Sequence, residues 1–236
     1  MHVLALDTTT RTGSVALVTD ARVVIERSGD PTRTHAERLP GDILGLLHDA
    51  GVKLAAIDVF AIASGPGSFT GLRVGIATLQ GLAFVNGRRI APVSALEALA
   101  QIGGQFLPAG AVVAAWIDAH RREVFSALYR VAEGPAFVPA RLSEMDAPAV
   151  GDPASTLSRW TASNQTPSVF IGDGAASYAD VLAGRGAVIP TPSLAGAIGR
   201  IAVHRARAGE TVDPAGVHPL YIRRPDAELA RESSCR

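Results

Sequence analysis

The residues of this chain best placed to do chemistry lie in one run, Ser64-Gly65-Pro66-Gly67-Ser68-Phe69-Thr70-Gly71-Leu72-Arg73. Residues 58–63 before it are short and apolar and read as a buried strand, while apolar residues recur at helical spacing over 74–84 behind it. A strand-to-helix corner of this kind turns backbone N–H groups and the positive end of a helix dipole toward one point. Its glycines let an anion come close, so the run could seat a phosphate or a carboxylate. Equally, Gly65 and Gly67 permit a sharp corner that Pro66 stiffens, with Arg73 in solvent. The run is neither a Walker A loop, for want of Gly-Lys-Ser/Thr, nor GxGxxG. Thr70 or Ser68 can cap the helix.

Few other residues assemble into a catalytic set. No Gly-x-Ser-x-Gly elbow is present, and no spacing of Ser, His and Asp nominates a hydrolytic triad. The six histidines, at 2, 35, 48, 120, 204 and 218, include no pair four apart that a helix would bring to one face for a metal ion. The single cysteine, Cys235, stands one residue from the end of the sequence, without a disulfide partner or a held base. No catalytic residue and no metal ligand is assigned.

These residues need a scaffold, and the composition bounds it. At 236 residues the chain suffices for one large domain or two small ones, and 47% hydrophobic with 5% aromatic content is the profile of a globular α/β protein. Lys plus Arg and Asp plus Glu number 22 each, so no global field draws in nucleic acid unaided. No basic leader with a long apolar stretch opens the sequence, and no uninterrupted window reaches membrane-spanning length; a cytoplasmic protein without membrane contact is expected.

Residues 3–7, 14–18 and 23–28 read as three short strands of an antiparallel meander. Thr34 caps a helix over 35–50 with Leu39, Ile43, Leu46, Leu47 and Ala50 as its apolar stripe, and Gly51 ends it. The strand leading to the glycine corner, the helix from Thr70, a strand over 89–93 and a helix over 95–102 follow. Ser94 caps the last of these, with Glu97 suited to a capping box. Gly103-Gly104 and Pro108 mark a boundary that divides the chain into lobes of residues 1–106 and 107–236. The second lobe opens with two apolar runs, 112–118 and 124–131, as a hairpin. Residues 133–165 read as a loose connection with short strands or a helical turn. A strand over 169–171, a helix over 174–182, a strand over 187–189 and a helix over 194–208 complete the lobe, and the polar stretch from Pro225 onward is expected to fray.

Compared whole, SGPGSFTGLRVG (64–75) is similar to the signature of the bacterial TsaB (YeaZ) family, within the superfamily of actin, sugar kinases and chaperone ATPases. Three further segments fit in register: LALDTTTRTGSVAL (4–17), IDAHRREVFSALY (117–129) and PLYIR (219–223). The resemblance spans nearly the whole chain, failing over 133–166 and the last dozen residues. It implies an α/β fold of two ribonuclease-H-like, actin-like lobes, each a mixed sheet opened by an antiparallel meander and flanked by helices. It also implies a role in making threonylcarbamoyladenosine in tRNA.

The superfamily clasps the phosphates of ATP and a metal ion between two Asp-headed hairpins. Asp7-Thr8-Thr9-Thr10 matches the first clasp. At the second, Asp118 is kept, but His120, Arg121 and Arg122 stand where the pattern has Gly or Thr. Gly172-Asp173-Gly174-Ala175 resembles the turn over the adenosine, or is a plain helix start. The catalytic paralogue TsaD carries a His-x-x-x-His metal pair, and Ala95 and Leu99 occupy those positions here. The resemblance therefore implies a subunit that is not an enzyme on its own, with no cofactor and no nucleotide expected on this chain. Its implied partners are TsaD as a heterodimer, the ATPase TsaE, tRNA through the complex, and a second copy in isolation. Leu39, Ile43, Leu46, Leu72, Ile76 and Leu79 are the expected docking face. Asp7, Gly65, Gly67, Thr70, Arg73 and Asp118 are the expected lining of a vestigial ligand cleft. Two alternatives stand beside this reading: an ATP-dependent phosphotransferase anchored by Asp7 and Asp118, and a metalloprotease-like hydrolase.

Overall fold

The computed structural model describes residues 1–223; Cys235 and the stretch from Pro225 onward lie outside the described residues. Strands β1 (His2–Asp7), β2 (Ser14–Thr19) and β3 (Arg22–Ser28) form the expected meander. Helix α1 (His35–Asp49) starts where the Glu37 carboxylate accepts hydrogen bonds from the N–H and hydroxyl of Thr34, at 2.8 and 2.7 Å. Strand β4 (Val59–Gly65) runs parallel to β1, helix α2 (Phe69–Val85) leaves its end, and β5 (Arg89–Ser94) lies parallel to β4 ahead of helix α3 (Ala95–Gly104). The same plan then repeats. Strands β6 (Val112–Asp118), β7 (Val124–Val131) and β8 (Leu142–Gly151) form a second meander, helix α4 (Pro153–Ala162) follows, and β9 (Val169–Ile171) lies parallel to β6. Short helices α5 (Asp173–Ser177) and α6 (Ala179–Leu182), strand β10 (Ala187–Ile189) and helix α7 (Ala195–Arg207) end the described elements.

The sheet orders are β3-β2-β1-β4-β5 and β10-β9-β6-β7-β8, one topology used twice, with the Asp-ended strands β1 and β6 at the centre of each. Two expectations are corrected. Residues 133–165 are not a loose connection but hold the ten-residue strand β8 and the ten-residue helix α4. Asp152 caps that helix by accepting from the Ser155 N–H at 2.9 Å, and Trp160 anchors it against Trp116, ring centroids 6.1 Å apart. The helix expected over 174–182 is broken in two at Tyr178.

The expected boundary after residue 106 parts the sheets but not the helices. Helix α7, from beyond it, lies on β1, β2 and β4 of the first sheet, and α3, from before it, lies on β6 and β9 of the second. The two helices touch, so one apolar core runs from Val3, Ala16 and Val18 through Leu99 and Ile198 to Val113 and Ile171. Ser14 and Glu26 hold the start of α7: Ser14 Oγ accepts from Leu194 and Ala195 N–H at 3.2 and 3.0 Å, and Glu26 from Gly196 N–H at 2.8 Å.

The other face of the first sheet is covered by α1 and α2, and this corrects the expected docking face. Leu39, Ile43, Leu46, Ile76 and Leu79 are buried against Leu4, Leu17, Phe60 and Ile62, and Leu72 is buried at the foot of α2, all six at 5% exposure or less. An amphipathic helix turns its strongest stripe to the nearest sheet before any partner, because that burial contributes about 1.5–3 kcal/mol per large side chain. Helix α7 packs closely enough that a Cβ at Gly199 would stand 2.5 Å from Val18 Cγ2. Gly199→Ala is expected to lower unfolding free energy by about 1–3 kcal/mol in urea titration, since the overpacked helix must lift from the sheet.

Candidate functional site

The two lobes face each other across a cleft of about 1330 Å3. On one side stand the starts of α1 and α2, on the other the β6–β7 turn, and residues 220–223 run along the rim between them. Ser68 is the cap of α2, its Oγ accepting from Gly71 N–H at 3.2 Å. The Ser68 N–H points inward and donates to the Thr9 carbonyl at 2.7 Å. The corner sits on the β1–β2 turn so tightly that a Cβ at Gly67 would lie 2.5 Å from Thr9 Cβ, and one at Gly71 would lie 2.1 Å from the Thr8 carbonyl oxygen. From the other side His35 Nε2 lies 3.0 Å from the Thr10 carbonyl, and the buried Arg38 donates to the Thr12 carbonyl and reaches His35 Nδ1 at 2.9 Å. Burial lowers the His35 pKa, so the ring is neutral, with Nε2–H donating and Nδ1 accepting. The first hairpin turn is thus bonded by the chain itself.

Asp7 is closed within that turn. One carboxylate oxygen accepts from the Thr9 N–H at 2.9 Å and the Thr9 hydroxyl at 2.6 Å, and the side chain is buried. Desolvation raises its pKa, the Thr9 bonds oppose this, and the nearby Asp173 carboxylate raises it further. Of the expected cleft residues, Gly67, Thr70, Arg73 and Asp118 line the cavity; Asp7 and Gly65 do not, and Gly65 is packed under the Leu220 carbonyl.

The second turn is also self-bonded. Asp118 accepts from the His120 N–H at 2.8 Å, and Asp173 accepts from the N–H groups of Asp118 and Gly174 at 2.9 and 2.8 Å. His120, Arg121 and Arg122 are three consecutive side-chain-bearing residues at φ of 58, 55 and 63°. That conformation, ordinary for glycine, costs such residues on the order of 1–3 kcal/mol each. The amides that would meet a triphosphate are therefore spent on Thr9, Asp118 and Asp173, and Asp7 is withdrawn. These residues do not fit a metal–nucleotide clasp. Among the described residues no three His, Cys, Asp or Glu side chains gather to hold a metal ion, and Ala95 and Leu99 are core.

Sequence reasoning missed the way the late PLYIR segment meets the corner. Leu220 N–H donates to the Ser64 carbonyl at 2.7 Å, and Arg223 crosses to the second lobe, donating to the Ala119 carbonyl at 2.7 Å and pairing with Glu123. Between them Tyr221 receives the Arg73 Nε–H at 2.9 Å, and the Arg73 guanidinium lies 3.8 Å above the Phe69 ring. No local spacing signals a contact across 148 residues.

Two sheets of one topology, each centred on an Asp-ended strand and facing across a cleft, define a protein of the actin-like α/β class. Residues 30–208 match the family model described as TsaD: tRNA N6-adenosine threonylcarbamoyltransferase. The chain is 28% identical over 240 residues to the tRNA threonylcarbamoyladenosine biosynthesis protein TsaB of Bacillus subtilis, covering 97% of this chain and 96% of that protein. It is 40% identical to the Escherichia coli protein of the same name over 131 residues, 55% of each. Two solved structures from Pseudomonas aeruginosa superpose on it. YeaZ does so at TM-score 0.75 and 31% identity over 93% of this chain and 99% of that one. A protein described as similar to peptidase YEAZ does so at TM-score 0.79 and 32% identity over 94% and 99%. The chain belongs to the TsaB (YeaZ) family.

Asp7 gives the site a pH signature. Its folded pKa lies above its unfolded value, so the proton it holds favours the fold in acid, and that contribution is lost as pH rises through the folded pKa. Asp7→Asn should therefore gain stability relative to the parent on going from pH 4 to pH 7, read as the difference between paired urea titrations; a difference independent of pH would refute the raised value.

Proposed function

We propose that this chain is the non-catalytic subunit of a bacterial tRNA threonylcarbamoyladenosine synthesis assembly. It pairs with the metal-bearing paralogue TsaD, and TsaD transfers threonylcarbamoyl from its adenylate to the adenosine 3′ of the anticodon in tRNAs reading codons that begin with A. The pair forms the platform for the ATPase TsaE and tRNA, and in isolation a second copy takes the partner's place. The chain holds no cofactor of its own in this scheme. Kinship with proteins named for this pathway supports the reading, and the self-bonded turns at Asp7 and Asp118 favour it over a phosphotransferase.

The observation that carries it is the outward face of α1 and α2. The expected docking residues are core, but the next stripe round is apolar and open. Leu44 on α1 is 61% exposed, and Phe84 and Val85 at the end of α2 are 79% and 83% exposed. Between Arg73 and Phe84 that stripe of α2 presents only Ala77 and Gly81, and nothing lies above Gly81. Small residues flanked by large apolar ones let another helix come close.

Two neighbouring substitutions separate core from interface. Ile76→Glu should unfold the protein, costing more than about 3 kcal/mol by burying an unpaired carboxylate in the core. Ala77→Glu should leave the melting curve in place yet weaken copurification with TsaD about a hundredfold. Unchanged pairing in Ala77→Glu would place the interface elsewhere.

A further inference from the structure

The outward face of α2 carries a single charge. The helix holds no Asp or Glu, and along its open stripe Arg73 is followed only by Ala77, Gly81, Phe84 and Val85. Beside Arg73 lies a recess of about 290 Å3, walled by Ile76, Ala77 and Gln80 of the helix and by Val217, Pro219 and Tyr221 of the late segment. Its walls are tied together. The Gln80 side-chain amide donates to the Pro214 and Val217 carbonyls at 2.8 and 3.3 Å, and the Leu220 N–H fastens the segment to the Ser64 carbonyl beyond.

Arg73 stands at the edge of this recess in a set pose. Its Nε–H donates to the Tyr221 hydroxyl at 2.9 Å and its guanidinium lies over the Phe69 ring, which leaves both terminal nitrogens unbonded among the described residues. A guanidinium held in this way is a planar fork for a carboxylate, with little freedom left to lose on binding. None of the ion pairs among the described residues includes it. The carboxylates of the neighbouring helix α1 are already engaged, Glu37 with Thr34, Asp42 with Arg38 and Asp49 with Arg27. A second copy presenting the same two helices therefore brings no free carboxylate, and the complement to Arg73 must come from a different chain.

We propose that Arg73 selects what covers this face. It receives a carboxylate from a helix of a different chain, and that helix carries an apolar side chain for the recess three or four residues from its Asp or Glu, the spacing that brings both to one side. The inference rests on the pairing with TsaD proposed above and adds the chemistry of the contact: the helix of TsaD that meets α2 bears this acidic and apolar pair. A second copy can fill the recess but leaves the fork empty. Self-pairing is then the weaker state, and TsaD displaces it.

The test measures the affinity of the full chain for TsaD at low and high salt, about 0.1 and 0.5 M, with self-association followed by sedimentation equilibrium. Arg73→Gln should weaken TsaD binding about tenfold or more at low salt, remove most of its salt dependence and leave self-association unchanged. Arg11→Gln removes an equal charge from the cleft side and should keep TsaD affinity within about twofold of the parent. Pairing by the parent with unchanged affinity in Arg73→Gln overturns this inference and leaves the subunit reading standing, whereas failure of the parent to pair overturns both. An equal loss in Arg11→Gln would trace the effect to net charge, and an equal loss of self-association in Arg73→Gln would trace it to packing; either overturns selection by Arg73. Tyr221→Phe keeps the charge and the ring but removes the acceptor of the Nε bond. It should weaken TsaD about threefold and add nothing in the Arg73→Gln background. A further loss in that background would overturn the role of Tyr221 in posing the fork.

Discussion

The seating of the glycine corner on the β1–β2 turn is the constraint from which the rest of the molecule follows. Ser68 N–H meets the Thr9 carbonyl at 2.7 Å, and Gly67 and Gly71 let the helix start come down on Thr8 and Thr9 with no side chain between them. That contact fixes the height and direction of α2, and with it which residues of the helix meet the sheet and which look out. It also consumes the groups that a related fold would offer to a phosphate. The loss of the clasp and the setting of the helix are one event.

A second contact, the late segment over the corner, has the opposite character. Leu220 ties to the end of β4 and Arg223 to the β6–β7 turn, so the segment links the two lobes at the rim of the cleft. Both lobes are also joined through α3 and α7, whose shared core leaves no bare surface on which they could slide. The bonds at Ser14, Glu26, Leu220 and Arg223 add polar ties between segments of the two lobes.

Much of this was legible in the residues. The first meander and the hairpin that opens the second lobe read from short apolar runs between turns, and the helix starts from Thr34, from Thr70 or Ser68, and from Ser94, because those signals are local. The segment 133–165 misled because β8 is an irregular edge strand whose pairing with β7 slips register twice, leaving no clean alternation to read. Its helix was nevertheless announced by Asp152-Pro153, a cap followed by proline at the first helical position. The docking residues were misassigned for a different reason. Periodicity identifies the apolar stripe of a helix but not what covers it, and two stripes on α1 and α2 compete for one sheet. The meeting of Arg73 with Tyr221, like the withdrawal of Asp7, depends on contacts distant in sequence or on side-chain direction, neither of which spacing encodes.

The crossed helices also set the order in which the chain can be completed as it leaves the ribosome. The strands of the first sheet are all made by Ser94, but the helix that covers one face, α7, ends at Arg207. At typical synthesis rates that face waits on the order of ten seconds with Val3, Ala5, Ala16 and Val18 uncovered. Until the other half arrives, the nascent first lobe therefore carries an apolar sheet face that only the late helix covers.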